Sequence, residues 1–230
     1  MAPIFFVGEG VTDVGPDQYI EPIRLSLDEQ GGFRRSSDAP CGVLPLLVLR
    51  SLNVSNPNVS TMNAQTRRTR RLHGKGFERK ALAAIVDAKA RGALALVMVS
   101  DRDGEKNRAR LSEMKKGRDA AARQGHLLPA ALGQCIEKPE AWLLADSKAL
   151  CEALNIKLPG AIPDPESIRD PKEHLAGFYA QDTSDRRAWE RHEAIAGVAD
   201  VDTLAKHCPK GFRPFRDEVV KRLSPLFEEV

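Results

Sequence analysis

Three groups of carboxylates are spaced along this chain so that they could do chemistry together. Glu9 stands in "FFVGEGVTD", directly after a short apolar run. Asp101 and Asp103 stand one residue apart in "LALVMVSDRDGEKNRAR", where a longer apolar run stops. Glu137, Glu140 and Asp146 lie in "IEKPEAWLLAD". In an extended chain residues i and i+2 point the same way, so Asp101 and Asp103 are expected to face one spot while Arg102 faces away. Converging carboxylates repel one another and hold their protons more tightly. A hard divalent ion, Mg²⁺ or Mn²⁺, removes that cost through oxygen ligands. The simpler reading of an Asp before a helix is a cap, and for Asp146 a cap on the helix that follows is the simplest account.

These residues need elements to position them. Pro3 to Gly8 reads as a buried strand that ends at Glu9, after which Thr12 or Asp13 can cap a helix. Tyr19, Ile20, Ile23 and Leu27 recur at helical spacing, which predicts a helix from about Asp17 to Glu29, stopped by Gly31-Gly32. Gly42 to Leu49 (GVLPLLVL) reads as a second strand, with Pro45 suggesting an edge position or a kink. Ser51 to Gly76 is polar and without period, and reads as a functional loop or a partly disordered one. A helix from Phe77 to Ala90 and a central strand from Ala93 to Ser100 follow. Then come an exposed helix from Gly104 to Gln124, a short strand from Leu132 to Ile136, and a helix opened by Pro139. Beyond Ser147 the pattern is helical throughout, with Pro-rich breaks.

Strand–helix alternation followed by helices predicts an α/β fold with a mostly parallel sheet flanked by helices, and a helical C-terminal part. Residues 1–146 would form the α/β core, including the polar stretch 51–76, and residues 147–230 a helical extension packed on it. In a parallel sheet the C-terminal strand ends share one edge, so Glu9 and Asp101 are expected on the same side. Glu137 and Glu140, around the start of a helix, can turn toward the same crevice.

At 230 residues and 42% hydrophobic the chain can bury a sizeable core, and at 5% aromatic that core must be mostly aliphatic. Cys41, Cys135, Cys151 and Cys208 form no C-x-x-C pair and read as reduced thiols, which points to the cytoplasm. No apolar stretch approaches the roughly 20 residues that span a bilayer. Net charge is only +3, but "RRTRRLHGKGFERK" gathers Arg67, Arg68, Arg70, Arg71, Lys75 and Lys80 with Glu78 as its lone acid. That stretch can neutralise phosphates of DNA or RNA, or it can be a solvated helix face. The five histidines show no paired spacing, and no P-loop is present.

Glu9 after the first strand and Asp101-x-Asp103 after a later one resemble the Toprim signature of topoisomerases, primases and nucleases. "VGEGVTD", "VSDRDGE", "EKPEAWLLAD" and "DPKEHL" together resemble more specifically a family of standalone, uncharacterised Toprim-like proteins. The resemblance implies a Toprim/Rossmann-like sheet, with Glu9, Asp101 and Asp103 as metal-binding and catalytic acids. The spacing from Glu9 to Asp101 exceeds that of a compact Toprim core, which an insertion at 51–76 would explain. On this reading the expected activity is Mg²⁺-dependent phosphodiester hydrolysis of nucleic acid, with Glu137 and Glu140 near a possible second ion. Strand passage is not expected, because the only tyrosines, Tyr19 and Tyr179, fall in helical segments. Two alternatives stay open. One is a non-catalytic module that binds nucleic acid or a partner protein of a defence or repair system. The other is a phosphatase, since strand–D-x-D-G also resembles the haloacid-dehalogenase motif; there Asp101 would be the nucleophile, Asp103 the acid, and Glu9 would have no role.

Overall fold

A computed structural model of the chain describes residues 2–15, 22–28, 32–52, 54, 58–65, 76–103, 105 and 107–227. Its strands are β1 (Ala2–Gly8), β2 (Ile23–Leu27), β3 (Phe33–Arg35), β4 (Asn58–Gln65), β5 (Ala95–Asp101) and β6 (Ala130–Cys135). Its α-helices are α1 (Val11–Val14), α2 (Val43–Ser51), α3 (Phe77–Ala90), α4 (Arg110–Arg123) and α5 (Glu140–Leu144). They continue with α6 (Ser147–Leu154), α7 (Pro171–Phe178), α8 (Ala188–Val198), α9 (Val201–His207) and α10 (Phe212–Leu223). The strands form one six-stranded sheet in the order β3-β2-β4-β1-β5-β6. The four strands β4, β1, β5 and β6 run parallel, and β2 and β3 extend the sheet antiparallel at one edge. This is the expected α/β fold: a mostly parallel sheet with flanking helices and a helical C-terminal part.

The strand sequences explain the two-sided burial. Ala95 to Val99 is a continuous apolar run with both faces covered, as a central parallel strand requires. On one face Ile4, Phe6, Val97, Val99 and Cys135 join side chains of α2, α5, α8 and α10 in a single core. On the other, Phe5, Val7, Leu96, Met98 and Leu132 meet α3 and α4. The C-terminal helices thus share the larger core with the sheet. Trp142 stacks on Phe215 at 5.3 Å between ring centroids, with Phe212 edge-on at 5.2 Å. Gly133 admits this packing, since a Cβ there would lie 2.6 Å from the Phe215 ring.

Buried carboxylates fix helix N-termini, whose first N–H groups need acceptors, and one of them ties the helical part to the core. Glu193 of α8 accepts the Gly42 N–H at 2.8 Å where α2 begins, and the Arg35 guanidinium at 3.0 Å. Glu166 accepts the Gly211 N–H at 2.6 Å where α10 begins.

Three expectations are corrected. GVLPLLVL is not an edge strand but α2, buried on all sides except at Arg50. An unbroken apolar run of that length fits a buried helix as well as a strand, and Pro45 sits in the first turn, where a missing N–H costs little. The helix expected from Asp17 to Glu29 is overturned at its C-terminal half by β2, in which Ile23 and Leu25 are buried and Arg24 is exposed. Its residues 17–21 lie outside the described set. The polar stretch 51–76 contains β4, which pairs with β1 from Ala2↔Val59 to Gly8↔Gln65. The neighbouring strands, not its own hydrophobicity, make it a strand.

Helices α3 and α4 approach closely at Gly117, where a Cβ would stand 2.1 Å from the Glu78 carbonyl oxygen. Backbone cannot yield as a side chain can. Gly117→Ala is expected to destabilise the fold by about 2 kcal/mol or more, read as a fall of roughly 4 °C or more in Tm.

Candidate functional site

Strands β1, β5 and β6 run parallel, so their C-terminal ends open on one edge, the usual place for ligands in such sheets. Glu9 directly follows β1 and Asp101 closes β5. The Asp101 N–H donates to Glu9 Oε1 at 3.1 Å, which joins the two strand ends. Asp103 is reached differently from the expectation. The chain leaves the strand after Asp101, and Asp103 turns to φ 47°, a left-handed conformation that Asp tolerates better than most residues. Its carboxylate meets the same centre through a third residue.

That residue is Arg110, the first of α4. Its Nη1 donates to Glu9 Oε1 at 2.9 Å and to the Asp101 carbonyl at 2.6 Å, and lies 3.7 Å from Asp103 Oδ2. The guanidinium rests 4.6 Å from the centroid of the Phe77 ring, and Lys80 Nζ lies 4.4 Å from the same centroid. Asn107 Nδ2 donates to Asp103 Oδ2 at 3.3 Å, and Gln134 Nε2 braces the Asn107 carbonyl at 2.9 Å. The side chains of Glu9 and Asp103 remain 31% and 49% exposed, so a ligand can reach them from solvent.

Behind this outer layer lies a buried acidic one. Asp13 Oδ2 accepts the N–H groups of Glu9 and Gly10, each at 2.9 Å, and so shapes the turn that presents Glu9. Gly8 makes room for it, since a Cβ there would lie 2.7 Å from Asp13 Cβ. Burial raises the Asp13 pKa to about 7 against the two amide bonds, and the charges of Glu140 and Glu9 add to the rise. Burial also drives Asp101 upward, and Asp13, Glu9, Asp103 and Glu140 push it further, to about 9. Glu140, buried at the start of α5, is raised by its burial, with Lys172 and Lys138 opposing. Cys135, which ends β6 beside this cluster, has its thiol pushed well up by burial and then by Asp101, Asp13 and Glu140.

The structure therefore brings together Glu9, Asp101, Asp103 and Glu140, and adds Asp13 and Arg110, which sequence reasoning missed as site residues. Asp13 read as a helix cap; instead it accepts backbone N–H groups that precede it. Arg110 carried no signal, because a helix expected from Gly104 places it in the second turn, whereas α4 starts at Arg110 itself. Glu137 is half-buried, with no ion pair or hydrogen bond from its carboxylate among the described residues. Asp146 is a cap, accepting the Ala149 N–H at 3.0 Å and the Asp200 N–H at 2.8 Å. Of the basic stretch, Lys80 is at the site's rim, while Arg67, Arg68, Arg70, Arg71 and Lys75 lie outside the described residues. Among the described residues no three acidic, imidazole or thiol side chains stand close enough to hold a metal ion as placed. No described helix is long and apolar enough to cross a membrane. No family model, no curated protein and no solved structure matches the chain.

Asp101 links this site to pH. Its folded-state pKa near 9 exceeds the ordinary 3.8, so between those values the folded state binds more protons than the unfolded chain. The associated stability is present below the lower value and is lost as pH rises toward the upper one. Without divalent ions, Asp101→Asn is expected to melt above wild type by a margin that grows with pH, reaching roughly 4 °C or more near pH 8. A margin that is constant, or that shrinks with rising pH, would contradict the assignment.

Proposed function

We propose that this chain is a Toprim-like, divalent-metal-dependent phosphodiesterase acting on nucleic acid. The observation that carries the reading is the convergence of Glu9, Asp101 and Asp103 at one sheet edge, with Asp13 and Glu140 buried behind them. The donor set is all carboxylate oxygen, which suits Mg²⁺ or Mn²⁺ and not the softer ions that favour thiolate or imidazole. Asp101, held near-neutral only by a proton, is a group whose ionisation a cation would favour. Glu9, Asp101 and Asp103 would hold the ion, which when bound would lower the pKa of an attacking water and offset charge on the phosphoryl oxygens.

The protein's own side chains do the rest. Asp13 fixes the Glu9 turn through two backbone N–H groups. Glu140 stands close enough to Asp101 for its charge to raise the Asp101 pKa, and burial raises its own. Lys80, at the rim on Phe77, would pair with a backbone phosphate, and the basic residues from Arg67 to Lys75 would extend that contact along the strand.

One observation favours a second reading, a non-catalytic nucleic-acid-binding module: Arg110 already supplies a counter-charge to Glu9 and Asp103. Nicking assays on DNA and RNA separate the two. With Mg²⁺ or Mn²⁺ the wild type is expected to cleave, and Glu9→Gln and Asp101→Ala to lose about 100-fold or more of that activity. Binding to nucleic acid that survives in all three proteins, with no metal-dependent cleavage in any, would favour the module.

A further inference from the structure

We infer that Arg110 is a resident counter-cation that a divalent ion must displace, and that the freed guanidinium is a phosphate-binding group for the substrate; this rests on the metal-dependent reading above. Arg110 Nη1 lies 2.9 Å from Glu9 Oε1 and 3.7 Å from Asp103 Oδ2. A metal ion held by Glu9 and Asp103 would need those same carboxylates at the shorter distances of direct coordination. Two cationic centres cannot share one carboxylate oxygen at such range without strong mutual repulsion. The guanidinium and the ion therefore compete.

The position of Arg110 is built, not incidental. A cation at the first residue of α4 opposes the helix dipole and has to be offset locally. Phe77 supplies a ring face under the guanidinium, and the Phe77 N–H is fixed by Glu113 Oε2 at 2.8 Å, one turn along α4 from Arg110. When its carboxylate partners turn to an ion, the guanidinium can keep the ring and swing its free N–H groups toward solvent. There it would meet the phosphate that the ion also binds, and a planar guanidinium pairs with phosphate through two parallel hydrogen bonds.

The test is a Mn²⁺ titration of the full chain without nucleic acid, read by electron paramagnetic resonance, on wild type, Arg110→Ala and Arg110→Lys. Removing the competitor is expected to tighten Mn²⁺ binding about tenfold in Arg110→Ala, the order expected when one close charge pair need not be broken. Arg110→Lys should fall between the two. A merely structural role predicts the opposite, because loosening the site weakens its grip on the ion. Mn²⁺ binding to wild type that is unchanged or weaker in Arg110→Ala overturns this inference and leaves the metal-dependent reading standing. Should Arg110→Ala not fold, Arg110→Lys decides by the same rule. Mn²⁺ binding by none of the three overturns both.

Discussion

Charge withdrawn from water has to be neutralised, by a proton or by a cation, and this constraint organises the edge of the sheet. Five carboxylates gather there. The outer two, Glu9 and Asp103, share the Arg110 guanidinium. The inner ones, Asp13, Asp101 and Glu140, have no ion-paired cation among the described residues, and each has its pKa raised, first of all by burial. The cluster is thus divided between an outer layer that shares one fixed cation and an inner layer in which burial favours the protonated form. Both layers are in states that a divalent ion would change, and that property links the fold to the proposed chemistry.

The rest of the structure serves to hold this arrangement. Parallel β1 and β5 bring Glu9 and Asp101 to one edge, and Gly8 gives Asp13 the space to pin the turn between them. Gly42, at φ 82°, lets the start of α2 abut α1, since a Cβ there would lie 2.5 Å from the Val14 and Gly15 nitrogens. Glu193 then closes that start from the C-terminal helices. Glu140 arrives on α5, whose Trp142 is seated in the larger core against α10. A site that looks like a feature of the strand ends therefore also depends on helices more than a hundred residues later in the chain.

How much of this was legible in the sequence follows from where local signals and tertiary context agree. Glu9 and Asp101 were readable because each ends an apolar run, and a parallel sheet collects such ends on one side. The helix at Phe77 had clean periodicity, and β5 was a short apolar run between Gly92 and the polar cluster at Asp101. α2 was misread because an unbroken apolar run has no period to distinguish helix from strand. β2 was misread because Ile23 and Leu27 fit helical spacing as well as Ile23, Leu25 and Leu27 fit alternation. β4 was hidden because NVSTMNAQ is polar; it is held inside the sheet by β1 and β2 on either side, with Thr61 Oγ1 donating to the Ile23 carbonyl at 3.2 Å. Arg110 and Asp13 acquire their roles only through contacts across the fold, Arg110 with Glu9 101 residues away. No local spacing announces that.

The most direct measurement is anomalous X-ray diffraction from crystals of the protein equilibrated with Mn²⁺. The account predicts an anomalous peak at the C-terminal edge of β1 and β5, coordinated by Glu9, Asp101 and Asp103, with Arg110 moved off Glu9. Ordered density with Arg110 still paired to Glu9 and no peak at that edge would contradict it.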